Sequence, residues 1–90
     1  MSPTTRKPRM RAYVLIETSA GKAKTVKTRL GKLRDGGSGV MALDAVTGPY
    51  DFIAVIEGPT IDEIGRLVTD GIGAIDGVTR TTTCVAVAIG

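Results

Sequence analysis

The sequence predicts an α+β fold in which a four-stranded antiparallel sheet carries two helices on one face. Four short runs are rich in β-branched and aliphatic residues, and two segments between them place apolar residues at helical spacing. The two halves also resemble each other, because YVLIE at 13–17 is similar to AVIE at 54–57 and a helix follows each. The predicted element order is therefore β-α-β-β-α-β, and ninety residues are enough for one such domain.

The first half of the chain is predicted to form a strand, a helix and a second strand. Residues 11–17, RAYVLIE, are rich in β formers, and residues 39–46, GVMALDAV, form a similar run. Apolar residues three and four positions apart make one stripe of the helix between them. The stripe comprises Ala23, Val26, Leu30 and Leu33. Thr18 or Ser19 is expected to cap this helix, and Gly36-Gly37 is expected to end it.

The second half repeats this pattern. Residues 52–57, FIAVIE, are predicted to form the third strand, and Thr60 with Glu63 makes a capping box at the start of the second helix. The apolar stripe of that helix comprises Ile61, Ile64, Leu67, Val68 and Ile72. Asp76-Gly77 turns the chain into a last strand over 78–89. The complete order is the ferredoxin-like βαββαβ arrangement.

The sheet is predicted to form a homodimer, because two strands are apolar on both faces. A sheet covered on one face should alternate apolar and polar residues, yet FIAVI at 52–56 and VAVAI at 85–89 are apolar throughout. A second subunit, packed sheet against sheet, is the simplest cover for the other face. The alternative is that the small alanines at positions 54, 86 and 88 tolerate solvent.

Charge is unevenly distributed along the chain. Residues 1–34 hold ten Lys or Arg against Glu17, a net +9, and residues 35–90 hold two against eight acids, a net −6, which together give +3. Residues 1–10 are predicted to be a disordered basic tail, and residues 11–90 the ferredoxin-like ligand-binding domain. A basic patch fits nucleic acid. A solvated helix face with a basic tail is the simpler and favoured explanation, and neither a helix-turn-helix nor an aromatic stacking platform is found, so direct nucleic-acid binding is not expected.

The composition favours a binding protein of the cytoplasm over an enzyme. The chain has no histidine and a single cysteine, Cys84, which is expected to be a small buried residue inside the last strand. No catalytic residue, metal site or cofactor is predicted. No apolar run is long enough to span a membrane, and the N-terminal residues do not read as a secretory signal.

The segment Thr47-Gly48-Pro49-Tyr50-Asp51 has two interpretations. Proline, glycine and aspartate are ordinary turn residues, so the segment is a hairpin turn in the simpler one. In the other, it holds a small zwitterion: the backbone amides at Gly48 meet a carboxylate, and Asp51 pairs with an ammonium group. Threonine hydroxyls of the last strand would complete the hydrogen bonds; they belong to Thr79, Thr81, Thr82 and Thr83. The residues alone leave both interpretations open.

Three blocks of sequence occur in a specific order: LDAVTGPYDFIAVIE at 43–57, IDEIGRLV at 61–68 and GVTRTTT at 77–83. They resemble the effector-binding domain, or RAM domain, of the Lrp/AsnC family of leucine-responsive regulators. The resemblance extends from Arg11 to Ile89. One departure is Asp76, where the family often has proline, and it concerns only the turn into the last strand.

The resemblance implies a module that senses a free amino acid or a similar small zwitterion. In that family the domains dimerise through their sheets, the dimers assemble into rings that are often octamers, and amino acids bind between dimers near a Gly-x-x-Asp turn. Carried over to this sequence, Gly48 and Asp51 match the turn. The neighbourhood adds Thr47, Pro49, Tyr50, Thr81 and Thr82.

The resemblance also suggests how such a module would act. Family members usually carry an N-terminal helix-turn-helix, where this chain has a ten-residue tail. The expectation is therefore a stand-alone ligand domain that modulates full-length Lrp/AsnC regulators without binding DNA itself. Two alternatives stay open: an assembly partner that binds no ligand, and a protein of the GYD-domain type, which shares a Gly-x-Tyr-Asp segment and has no defined chemistry.

Overall fold

A computed structural model describes residues 9–89 and contains one four-stranded antiparallel sheet with the strand order β2-β3-β1-β4. The elements are β1 (Met10–Thr18), α1 (Ala23–Asp35), β2 (Val40–Ala45), β3 (Phe52–Gly58), α2 (Ile61–Arg66), a π-helical turn that continues α2 (Leu67–Ile72), and β4 (Val78–Val85). This arrangement confirms the predicted ferredoxin-like βαββαβ fold. Most of the predicted tail, residues 1–8, lies outside the described residues, and β1 begins at Met10.

In the inner strand β1, buried and more exposed side chains alternate and so mark the two faces of the sheet. Ala12, Val14 and Ile16 are completely buried, whereas Tyr13 between them is 39% exposed. Successive side chains of a strand point to opposite faces, so the buried set faces the helices and Tyr13 lies on the opposite, open face. The neighbouring strand β3 follows the same rule: its buried set comprises Phe52, Ala54 and Ile56.

Both helices cover the same face of the sheet. Val26 and Leu30 of α1 are completely buried, and they share one apolar core with Ile64, Val68 and Ile72 from the second helix. Burying each such side chain stabilises the fold by about 1.5–3 kcal/mol, so this layer supplies most of the driving force for folding. The first members of the two predicted stripes lie outside this core, because each begins its helix at the rim of the layer; they are Ala23 and Ile61.

The start of α1 differs from the prediction. Lys22 precedes the helix without a capping side chain, and its N–H donates to the carbonyl of Ser19 at 3.0 Å, which closes a turn before the helix begins. The hydroxyl of Thr18 points to Asp51 instead, and it donates to that carboxylate at 3.0 Å. The predicted cap at Thr18 or Ser19 is therefore wrong.

The second helix begins as predicted and then widens. The N–H of Glu63 donates to Thr60 Oγ1 at 3.1 Å, which confirms the threonine cap. From Leu67 onwards the helix is π-helical, and the N–H of Gly73 donates to the carbonyl of Val68, five residues back, at 2.6 Å. A Cβ atom added to Gly73 would lie 3.1 Å from that carbonyl oxygen, so glycine allows the widened turn to close.

The last strand, β4, is shorter than predicted because its partner β1 begins only at Met10, close to where the pairing ends. Val85 pairs with Ala12, and the N–H of Ala86 donates to the carbonyl of Arg11 at 2.8 Å, one residue from the start of β1. Residues 86–89 are not in a strand and are exposed, so the predicted strand over 78–89 is four residues too long.

The open face of the sheet carries half-buried apolar side chains. Leu15 of β1 lies there with Ile53 and Val55 of β3, and no helix within residues 9–89 covers them. The predicted apolar second face is therefore present on β3 and not at residues 85–89. Cys84, opposite Tyr13, is exposed rather than buried, because it lies on this face of an edge strand.

Candidate ligand-binding site

The segment that connects β2 and β3 is a hairpin turn in the structure. The N–H of Val46 donates to the carbonyl of Asp51 at 2.9 Å and closes the loop. Gly48 has a φ of +134°, a conformation that side chains rarely adopt, and an added Cβ would meet nothing within 4 Å. The backbone conformation, and not crowding, therefore favours glycine there, and the surface above it is open to another molecule.

Asp51 fastens this turn to the central strand. Its N–H donates to the carbonyl of Ile16 at 2.9 Å, and its Oδ2 accepts from both the N–H and the hydroxyl of Thr18, at 2.8 and 3.0 Å. The hydrogen bonds among residues 9–89 engage only one of the two carboxylate oxygens. The carboxylate therefore has a structural role, and Oδ1 is the atom left for a ligand.

The two threonines predicted to join the site lie on opposite faces of the sheet. Thr81 pairs with Ile16, whose side chain is buried under the helices, and Thr82 pairs with Leu15 on the open face. One small ligand on one face of the sheet can therefore meet only one of these hydroxyls of a given chain. Two strand spacings, or about 10 Å, separate β4 from β3, so neither threonine adjoins the turn.

The turn is exposed in the single chain. Thr47, Gly48 and Pro49 are exposed, and Tyr50 and Asp51 are half-buried. The predicted residues thus bring together a glycine turn, a carboxylate and an aromatic ring at one corner of the sheet, without a closed pocket. A ligand held there would need a second subunit to exclude water from its other side.

Several clefts lie elsewhere among residues 9–89 and were not predicted from the sequence, and two of them adjoin α1 or the connection that follows it. A cleft of about 300 Å³ separates α1 from the π-helical turn, with Arg29 and Lys32 on one wall and Asp70 on the other. A smaller cleft of about 170 Å³ lies beside the connection between α1 and β2. The glycines of the second helix were the one sequence feature that could have indicated the larger of these two clefts. Gly71 lines that cleft, and an added Cβ there would be 3.2 Å from Leu67 Cδ1.

A charged cluster occupies the start of β1. The Glu57 carboxylate pairs with Arg11 at 3.2 Å and with Arg9 at 3.7 Å. Hydrogen bonds and charge from Tyr13 and then Glu57 raise the pKa of Arg11 above its ordinary value, so this guanidinium stays charged at any physiological pH. Exposed pairs of this kind contribute little to stability.

Residues 9–89 contain neither a cluster of potential metal ligands nor a helix able to span a membrane. No group of three or more His, Cys, Asp or Glu side chains in this range could hold a metal ion. No helix in the same range is long and apolar enough to cross a membrane.

Comparison with solved structures gives close matches over nearly the whole chain. TTHA0845 from Thermus thermophilus is 30% identical, with a TM-score of 0.78 over 90% of this chain and 96% of that one. The protein FFRP-DM1 is 28% identical, with a TM-score of 0.73 over 87% of this chain and 99% of that one. No curated protein sequence matches the chain.

A more distant structure extends the comparison to a regulator with a bound ligand. The transcriptional regulator NMB0573 from Neisseria meningitidis, solved in complex with L-Met, is 15% identical, and its TM-score of 0.77 shows a shared fold. The match covers 98% of this chain and 56% of that one, so this chain spans about half of the regulator. The model of the Lrp/AsnC ligand binding domain matches residues 11–89. The chain therefore belongs to the Lrp/AsnC ligand binding domain family.

Proposed function

We propose that this protein is an amino-acid sensing module that acts by binding and not by catalysis. Membership of the Lrp/AsnC ligand binding domain family is the observation that carries the proposal. The complex of a structurally similar regulator with L-Met supports an amino acid as the ligand class. The module would act in the cytoplasm and modulate full-length regulators of the family.

The proposed site is the exposed corner at Gly48 and Asp51. The open backbone beside Gly48 offers amides to a carboxylate, and the free Oδ1 of Asp51 can accept from an ammonium group. Thr47, Pro49 and Tyr50 flank these two groups on the same exposed turn. Thr82 or Thr81 would contribute one hydroxyl, from either this chain or a second one.

The proposed assembly is a homodimer formed through the open face of the sheet, with dimers associating into a ring such as an octamer. Leu15, Ile53 and Val55 on that face are apolar and only half-buried in one chain. Covering them with a second sheet would remove this apolar surface from water and stabilise the dimer by about 25 cal/mol per Å² buried. Ring assembly would also supply the second wall that the exposed turn lacks.

A thermal-shift panel of the twenty amino acids tests the ligand. A ligand that binds only the folded protein stabilises it by about 2.7 kcal/mol at a hundredfold excess over Kd. Asp51→Asn should abolish the shift, because it removes the charge and keeps an oxygen acceptor for Thr18. Asp44→Asn, on exposed strand β2, is the matched control and should respond like the wild type. The sensing function fails if no amino acid shifts the wild-type protein.

The second candidate function is that of an assembly partner without a ligand. The hydrogen bonds from Thr18 to Asp51 favour it, because they give this carboxylate a structural role that needs no ligand. Mixed oligomers with a full-length family regulator, formed equally well with and without amino acids, would support this function over sensing. Light scattering of the mixture gives the measurement.

A further inference from the structure

We propose that the cleft between α1 and the π-helical turn is a second ligand site, which takes an α-amino acid with an aliphatic side chain. Arg29 and Lys32 of α1 face this cleft from one side and Asp70 faces it from the other. A zwitterion carries both charge signs, and the turn at Gly48 pairs its one charged side chain, Asp51, only with neutral backbone amides. The cleft provides positively and negatively charged side chains within a single chain.

These opposite charges do not neutralise each other. Among the described residues, ion pairs on or near α1 join Lys22 to Asp76 at 3.2 Å and Arg34 to Asp35 at 3.1 Å. None of the ion pairs within residues 9–89 involves Arg29, Lys32 or Asp70. Guanidinium and ammonium groups hold a carboxylate through charged hydrogen bonds, and Asp70 can accept from an ammonium group in the same way.

The cleft has an apolar part between its charged rims. Leu33 is half-buried, Ile75 is only 6% exposed, and Ala74 lies beside them. A ligand with charged groups at one end would place an aliphatic side chain against this surface. At about 300 Å³ the cleft is at the small end of ligand sites and has room for an amino acid.

The π-helical turn forms one wall of the cleft. Gly71 lies in that turn and on the cleft, and the side chains of Leu67 and Leu33 approach it closely. An added Cβ would lie 3.2 Å from Leu67 Cδ1 and 3.8 Å from Leu33 Cδ1. Short π-helical segments occur frequently at functional sites, where they alter the packing of an otherwise regular helix.

This inference rests on the proposed amino-acid binding function, and it needs no second subunit. Two observables therefore separate the cleft from the turn. Ligand contact at the cleft should shift the backbone amide resonances of Leu33 and Gly71 in a ¹⁵N-labelled sample. Contact at the turn should shift those of Gly48 and Asp51 instead.

The test is calorimetric titration of the full chain with L-leucine. Lys32→Gln and Asp70→Asn should each weaken binding about tenfold or more, since each removes a charged hydrogen bond. The matched controls are Lys24→Gln on α1 and Asp62→Asn on α2, exposed residues that do not line the cleft, and they should bind as the wild type does. Circular dichroism verifies that all four variants are folded.

Two analogues of L-leucine test the two charges separately. 4-Methylpentanoate lacks the ammonium group, and 3-methylbutylamine lacks the carboxylate. Each should bind about tenfold or more weakly than L-leucine, and Asp70→Asn should have no further effect on 4-methylpentanoate.

The outcomes distinguish this inference from the proposed function. If L-leucine binds, the cleft variants bind normally and Asp51→Asn does not, the cleft inference is overturned and the turn remains the site. If the cleft variants lose binding while Asp51→Asn retains it, the inference holds and the turn is excluded. If no amino acid binds the wild-type chain, both fail.

Discussion

The carboxylate of Asp51 accepts two hydrogen bonds from Thr18, one from its N–H at 2.8 Å and one from its hydroxyl at 3.0 Å. Thr18 is the last residue of the central strand, and Asp51 directly precedes β3. The backbone bond from the Asp51 N–H to the Ile16 carbonyl lies beside them. These contacts join the candidate ligand turn to the core sheet, so the carboxylate proposed to bind a ligand also holds the turn in place.

Asp51→Ala should lower the free energy of unfolding by about 1.5–3 kcal/mol, the usual contribution of hydrogen bonds to a charged group. Urea denaturation measures it. Asp44→Ala, which removes an exposed aspartate of β2, is the control and should stay within about 0.5 kcal/mol of the wild type. Equal stability of the two variants would show that the Thr18 contacts contribute nothing in solution.

Gly77→Ala should be among the most damaging small substitutions. Gly77 has a φ of +101°, and an added Cβ would lie 2.8 Å from Lys22 Cβ and 2.9 Å from Val26 Cγ2. Backbone strain and overpacking together should cost about 2–4 kcal/mol of stability. Gly65→Ala meets nothing within 4 Å and lies inside α2, so it should stabilise by up to about 1 kcal/mol. Thermal unfolding of the two variants should therefore shift in opposite directions.

Val55→Lys should prevent association through the open face. Val55 is half-buried in the single chain, and a lysine there can extend into water only while no second sheet covers it. Light scattering should return the 9.4 kDa chain mass for this variant and a multiple of it for the wild type. Thr28→Lys, which adds the same charge to the exposed side of α1, should leave the assembly intact. A monomeric wild type would refute the sheet-to-sheet dimer.

Thr60→Ala should destabilise the protein by about 1 kcal/mol, because it leaves the Glu63 N–H without its capping acceptor. Thr60→Ser keeps a hydroxyl oxygen and should retain most of the stability. Denaturant midpoints of the three proteins give the comparison. A serine variant as unstable as the alanine variant would assign the effect to the lost methyl group instead.

Hydrophobic spacing predicted the fold well, because the position of most helices and strands depends directly on the spacing of apolar residues. Val26 with Leu30, and Ile64 with Val68, are buried where their periodicity placed them. The π-helical turn could not be predicted in this way, since a spacing of four residues suits both an α-helix and a wider one. The end of β4 depends on where β1 begins, which is a property of the pairing and not of the apolar run at 85–89.

The candidate site was less accessible to sequence reasoning than the fold. The sequence indicated the turn at Gly48 and Asp51 as a candidate. It could not show the hydrogen bond from Thr18 to Asp51, because these residues are 33 positions apart. The same limit explains why the cleft beside Asp70 was missed: its charges come from two helices whose packing only the structure shows.

The place of β1 in the sheet has a consequence for how the chain acquires its structure during synthesis. Both neighbours of this first strand, β3 and β4, are made later, and the contact from Thr79 to Glu17 spans 62 positions. Its most apolar residues therefore emerge from the ribosome long before any partner strand exists. Such non-local pairing is slow to form and leaves an unpaired edge exposed meanwhile. Nascent chains that stop short of β4 should be the ones that chaperones retain.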